Sequence, residues 1–146
     1  MKKLVIATSC LVLSACSSQG FRSVLPIEAP YPKIEFENLY LKGIFNWWEA
    51  RETHRFVKGN TGWYVELELI ADGQPYDFKI SDFNWTPDQT CGATYANQQV
   101  VANSTTYALC AEDKGNLTFT PEKTGIYRFS IFDAQEQQIG LTISKR

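Results

Sequence analysis

The chain has 146 residues, with 14 Lys and Arg against 16 Asp and Glu, for a formal net charge of −2 at pH 7. That balance offers no basic face for nucleic acid and no polybasic patch for anionic lipid. The length suits one domain with one core, and a single histidine leaves little for a metal centre, which wants several ligands at short spacing.

The first segment reads as an export signal. Lys2 and Lys3 precede an apolar run over residues 4–13, well short of the ~20 apolar residues needed to cross a bilayer. The run ends in Leu13-Ser14-Ala15-Cys16, which resembles the lipobox of bacterial lipoproteins. The resemblance implies a signal peptide over residues 1–15, cleavage before Cys16, and a diacylglycerol thioether with an acylated amine on that cysteine. Buried methylenes contribute about 0.8 kcal/mol each, so several acyl chains hold durably where one holds weakly. Ser17 after the cysteine, rather than Asp, implies the outer membrane by the sorting rule of that class, with either face open. Once Lys2 and Lys3 are removed, twelve basic residues (14 less 2) face 16 acidic ones.

Residues 16–33, with Pro26, Pro30 and Pro32 and no periodicity, read as the lipidated cysteine and a tether. Residues 34–146 read as the folded domain. From Ile34 onward, short runs of aromatic and β-branched residues alternate with Gly, Asn, Asp and Pro. They predict strands near residues 37–41, 55–58, 63–69, 76–81, 99–102, 116–120, 126–132 and 140–143. A spacing of about 10 residues predicts an all-β sandwich of about seven or eight strands. In Trp63-Tyr64-Val65-Glu66-Leu67-Glu68-Leu69 the odd positions are apolar, and Tyr127, Phe129 and Ile131 alternate with Arg128 and Ser130. That is the period of a half-buried strand. Residues 58–62 and 71–75 carry turn chemistry.

Four cysteines divide by fate. Cys10 leaves with the signal and Cys16 takes the lipid, which leaves Cys91 and Cys110 as an even pair in an exported protein. Such a pair is expected to form a disulfide, stabilising the fold by about 3 kcal/mol through a loop of about 20 residues.

Catalysis has little to stand on. His54 lies among Glu52, Thr53 and Arg55, a stretch that reads as exposed surface rather than a general base. Glu66 and Glu68 face outward from one strand and read as a solvated rim, so a glycosidase pair would need a cleft not evident here. Aromatics are more informative. Trp47 and Trp48 follow the first strand and Trp85 follows the strand at 76–81. Two consecutive tryptophans on an extended segment cannot both enter a core, so one is expected at the surface, where a bare indole needs cover. Sugar rings supply it, packing axial C–H faces on the aromatic plane at about 1 kcal/mol each by analogy with aromatic pairs. Tryptophans that merely cap the core are the competing reading.

The order of several short segments is similar to one known family. Leu39-Tyr40-Leu41-Lys42-Gly43-Ile44-Phe45-Asn46-Trp47-Trp48 resembles the opening strand and loop of glycogen- and starch-binding modules of the early-set immunoglobulin-like type, which accompany isoamylases and pullulanases. The segments 63–69, 76–85, 115–119 and 125–133 resemble later strands of the same modules, so the likeness runs from about Asn38 to Ile143. It implies an early-set immunoglobulin-like sandwich, with Trp48 and Trp85 stacking on a glucan, Trp47 variable, and Lys79 bonding its hydroxyls. Asn46 and Asn84 stand as further hydrogen-bond candidates. The cysteine-bearing segment 89–110 and the charged Glu49-Ala50-Arg51-Glu52 depart from the family pattern.

The leading expectation is therefore a membrane-anchored, non-catalytic lipoprotein that binds an α-glucan or related glycan without cofactor or metal. The alternative is an envelope protein–protein interaction or assembly lipoprotein that uses the same patch, with Trp48 beside Arg51 and Arg55 as interface anchors.

Overall fold

The computed structural model describes residues 30–146. The signal peptide, Cys16 and the tether up to residue 29 lie outside the described residues. Among the described residues nine strands form, in chain order: β1 (Tyr40–Gly43), β2 (Val57–Lys58), β3 (Trp63–Leu69), β4 (Tyr76–Ser81), β5 (Cys91–Gly92), β6 (Thr105–Cys110), β7 (Leu117–Phe119), β8 (Gly125–Asp133) and β9 (Gln138–Lys145). The protein is all-β, with short 3-10 turns and no α-helix among the described residues.

One sheet runs β1-β4-β5-β6-β9-β8-β3-β2, with β7 pairing β4, and every strand pairing in it is antiparallel. It curls into two facing layers, β1, β4 and β7 in one and β6, β9, β8, β3 and β2 in the other. Alternation drives the packing. Val65, Leu67 and Leu69 of β3, Tyr127, Phe129 and Ile131 of β8, and Ile139, Leu141 and Ile143 of β9 turn inward to meet Leu41, Phe78, Ile80, Leu117 and Phe119. Phe78 meets Phe129 edge-on at 5.4 Å between centroids, which locks one layer onto the other. The two layers join along both margins. At one, β5 bridges β4 and β6, with Ile80 opposite Cys91 and Cys91 opposite Cys110. At the other, Tyr40 forms an antiparallel bridge with Arg55, and the Phe56 N–H donates to the Leu39 carbonyl at 3.0 Å. Curling in this way covers edges that would otherwise invite pairing with other chains.

The disulfide joins Cys91 to Cys110 as a directly opposed cross-strand pair, with both residues buried. Strands β3 and β4 span the residues expected from the sequence. Two expectations fail. Residues 99–102 make only one bridge, Gln99 to Thr118, while a full strand forms at β6. In β6 the small residues Ala108 and Cys110 turn inward and Tyr107 stays 49% exposed, so the hydrophobic alternation that marks the other strands is inverted. Residues 36–38 form a 3-10 turn rather than the start of β1, because Asn38 bonds back to Glu35 through both its N–H and its side-chain amide.

Candidate functional site

All four residues of β1 are buried, although the strand belongs to an outer layer. Leu39 and Leu41 face the core, so Tyr40 and Lys42 face outward, and two loops fold back over that outer face. The first leaves β1 at Gly43 through a 3-10 turn (Ile44–Asn46). Asn46 is fully buried and sets this turn. Its Oδ1 accepts the Gly43 N–H at 2.9 Å, while Nδ2 donates to the Leu41 carbonyl at 2.8 Å and lies 2.9 Å from His54 Nδ1. The two backbone contacts fix which end of the amide is the donor. His54 Nδ1 therefore accepts, and the imidazole is neutral with its hydrogen on Nε2. The chain then reverses through Trp47 and Trp48, at φ 58° and 62°, and the Trp48 N–H returns to the Gly43 carbonyl at 3.0 Å.

The second loop leaves β4 after Ser81. Asp82 closes it, its carboxylate accepting the Thr86 N–H at 2.8 Å and the Thr86 hydroxyl at 2.5 Å. Trp85 within it has φ 59°. Lys42 rises between the loops and ties them together. Its Nζ donates to the carbonyls of Asp82 (2.6 Å) and Phe83 (3.2 Å) and sits 4.0 Å from the centroid of the Trp85 ring. Lys42 is only 1% exposed. Burial lowers its pKa, and the nearby Asp82 charge opposes that shift.

Above Lys42 the rings of Trp48 and Trp85 meet, with centroids 6.4 Å apart and planes inclined by 42°. Trp85 is 39% exposed, Trp48 is half-buried, and Trp47 stands 80% exposed. Three of the four tryptophans thus occupy left-handed backbone, at about 1–2 kcal/mol each for L-residues. Such strain persists only where surrounding bonds over-determine the chain, and it gathers at ligand clamps. Here Asn46, Asp82 and Lys42 supply those bonds.

The residues singled out from the sequence fall in three places. Trp48 and Trp85 come together. Lys79 is the Cα partner of Lys42 across β1 and β4, so its half-buried side chain leaves the same outer face as Lys42. Asn84 is exposed and lines a neighbouring cleft with Tyr40, Phe83 and Gln89. Asn46 is not available to a ligand, because it is buried and its amide is fully bonded within the protein. It orders the loop that carries Trp47 and Trp48. The pair lies on the outer face of the β1–β4 layer, not at an end of the sandwich, because both loops double back over a strand of only four residues. Nor does either consecutive tryptophan enter the core, since the segment is left-handed rather than extended.

Sequence reasoning passed over Lys42 and misjudged His54. A lysine in mid-strand directly before a double tryptophan was the one available signal for Lys42. His54 is half-buried, edge-on to Phe45 at 5.8 Å, and bonded to Asn46 rather than lying free at the surface. Burial first, and the Arg51 charge second, lower its pKa below the ordinary 6.5. Protonation would set an N–H against the Asn46 amide donor. A histidine with a depressed folded pKa contributes stability that is complete above its unfolded pKa and is lost as pH falls below it. The unfolding midpoint in urea is therefore expected to drop as pH is lowered through about 6.5 and below. The His54→Gln variant should lack that step; an identical pH profile for the two proteins would count against the Asn46–His54 bond.

Neither protein-family models nor curated protein sequences give a match to this chain. Among solved structures, one described as "Ligand induced structure of AmyP-SBD" aligns over 97% of this chain and 95% of its own, at 13% identity and a TM-score of 0.48. A likeness of that degree carries no argument about the ligand, which rests on the site itself.

Proposed function

We propose that this protein is a membrane-tethered, non-catalytic domain that binds an α-glucan or a related glycan through Trp48 and Trp85. Lys79 and Asn84 would bond its hydroxyls. The observation that carries this reading is the meeting of two tryptophans from separate loops on one outer face, at strained backbone, over a buried lysine. Nothing in the core needs the rings there, since neither belongs to the core cluster. Their 42° inclination suits a curling chain, whose successive sugar faces turn relative to one another, better than a flat ribbon. Each stack should contribute about 1 kcal/mol, so binding is weak and depends on both rings. The tether rests on the lipobox-like residues 13–16, with Cys16 as the lipidated position and the outer membrane as its destination.

Electrophoresis through glycogen or starch gels tests the reading. The full chain should be retarded, and Trp48→Ala or Trp85→Ala should each remove most of the retardation. Unretarded migration of the unmodified protein would remove the polysaccharide.

A second reading has its own observation. Trp47 and Phe83, 80% and 69% exposed, extend the apolar surface beyond the ring pair, as an anchor for an envelope protein would. A photocrosslinker at position 47 in intact envelopes would trap a stoichiometric protein partner if that reading holds.

A further inference from the structure

The other layer of the sandwich carries a groove that the tryptophan pair does not use. Its position follows from register. Tyr64 on β3 stands opposite Ser130 on β8, which stands opposite Thr142 on β9, so one outward row crosses the layer. On one side of this row, Phe132 lies opposite Gly140 and leans over it. A Cβ on Gly140 would fall 2.1 Å from the tip of the Phe132 ring, so glycine there lets the aromatic ring lie against the strand. On the other side, Glu66 lies opposite Arg128. Residues 58–62, the turn between β2 and β3, form the closing wall. The groove is open to solvent along one side and has a volume of about 750 Å³, within the range of small-molecule sites.

The lining chemistry defines the occupant. Ser130 and Thr142 form a hydroxyl floor, and neither side chain makes a hydrogen bond among the described residues. Tyr64 and Phe132 supply aromatic walls. Arg128 is not free to swing. Its guanidinium carbon lies 4.1 Å from the centroid of the Tyr64 ring, while Nε and Nη2 both donate to Glu66 Oε1 at 2.7 Å. Arg146 Nε also reaches that oxygen at 3.1 Å. Glu66 thus offsets the charge of Arg128 and holds its remaining N–H groups at the groove. An apolar chain would leave the hydroxyls and guanidinium desolvated without partners. A polyanion would gain little from Arg128, whose charge Glu66 already offsets. A neutral polyol chain with apolar C–H faces satisfies rings, hydroxyls and guanidinium together.

We infer that this groove, framed by Tyr64, Arg128, Ser130, Phe132 and Thr142, is a second saccharide site, on the opposite face from Trp48 and Trp85 and independent of them. It takes a short neutral oligosaccharide. A chain bound on both faces would be held with the avidity of linked sites, without any new contact at either.

Amide spectra of the 15N-labelled full chain, titrated with maltoheptaose and separately with cellohexaose at millimolar concentration, test the inference. One or both sugars should shift the amides of residues 59–64, 128–132 and 140–143, and those shifts should persist in Trp85→Ala. Thr142→Val, which keeps shape and strand preference while deleting one hydroxyl, should raise the dissociation constant read from them by about fivefold. Tyr64→Ala should remove them, with the unfolding midpoint recorded to confirm that the variant is folded. Shifts confined to residues 42–48 and 79–86 would overturn the second site while leaving the tryptophan site standing. The absence of shifts with either sugar would overturn it outright. Groove shifts that follow protein concentration without any sugar would do the same, by showing that another copy of the chain occupies the groove.

Discussion

The Lys42→Met variant is expected to unfold at lower urea, with a stability loss of about 2–4 kcal/mol, and to migrate unretarded through glycogen or starch gels. Methionine keeps the length and the apolar stem of the side chain, so the loss isolates the ammonium. Without it the carbonyls of Asp82 and Phe83 lose their donor beneath the loops, at about 1–3 kcal/mol for a polar group left buried and unsatisfied. The cation–π contact with Trp85 disappears as well, at about 1–2 kcal/mol for a desolvated pair. Partly offsetting both, the second loop becomes free to relax the left-handed Trp85, recovering about 1–2 kcal/mol. That relaxation carries the indole away from Trp48, which is why affinity falls with stability. Lys79→Met is the informative companion. Lys79 lies beside Lys42 on the same face and makes no hydrogen bond or ion pair among the described residues, so its loss should leave the urea midpoint within about 0.5 kcal/mol of the parent. If Lys79 bonds the glycan, that variant weakens retardation alone. Equal loss of stability from both substitutions would show that the outer face of β1 and β4 does not distinguish its two lysines.

The contrast between these lysines marks where sequence reasoning reaches its limit. Period-two alternation placed β3 and β8, because each presents large apolar side chains to the core and polar ones to water. Strand β6 broke that rule by turning Ala108 and Cys110 inward beneath an outward Tyr107, so nothing in its hydrophobic pattern marked it. Position just beyond strand ends brought Trp47, Trp48 and Trp85 forward, and the resemblance to glucan-binding modules singled out Trp48 and Trp85 among them. What lay out of reach was the tertiary step. Burying Lys42 requires two loops to double back over one short strand from opposite ends, and no local pattern encodes that meeting. The resemblance to glucan-binding modules named Lys79 as the lysine of the site, while the lysine that supports the ring came unmarked. Asn46 shows the same limit. Its place before the double tryptophan suggested a ligand contact, yet three bonds within the protein consume its amide.

Opening the Cys91–Cys110 bond is the second large perturbation, with an expected loss of about 3 kcal/mol between oxidised and reduced chains in parallel urea titrations. The two cysteines lie 19 residues apart, and a loop of that length removes about that much conformational freedom from the unfolded chain. The native position makes the bond matter beyond that entropy. Strand β5 has only two residues, and its pairing carries β4 across to β6, so the margin between the layers has few other ties. The stretch that bears Trp85 runs directly from β4 to β5. It is held at one end by the pairing with β1 and at the other by the disulfide, with Ser81 and Thr90 hydroxyls 2.9 Å apart closing its base. Reduction should therefore loosen Trp85 before it loosens Trp48, whose loop is tied through Asn46 and His54 instead. In hydrogen exchange, the amides of residues 82–92 should lose protection on adding reductant while those of residues 43–49 keep theirs, and gel retardation should weaken although the domain remains folded. A Cys91→Ala, Cys110→Ala double variant should reproduce both effects without reductant. Uniform loss of protection across both loops would mean that the disulfide supports the sandwich as a whole and has no particular hold on the ring it borders.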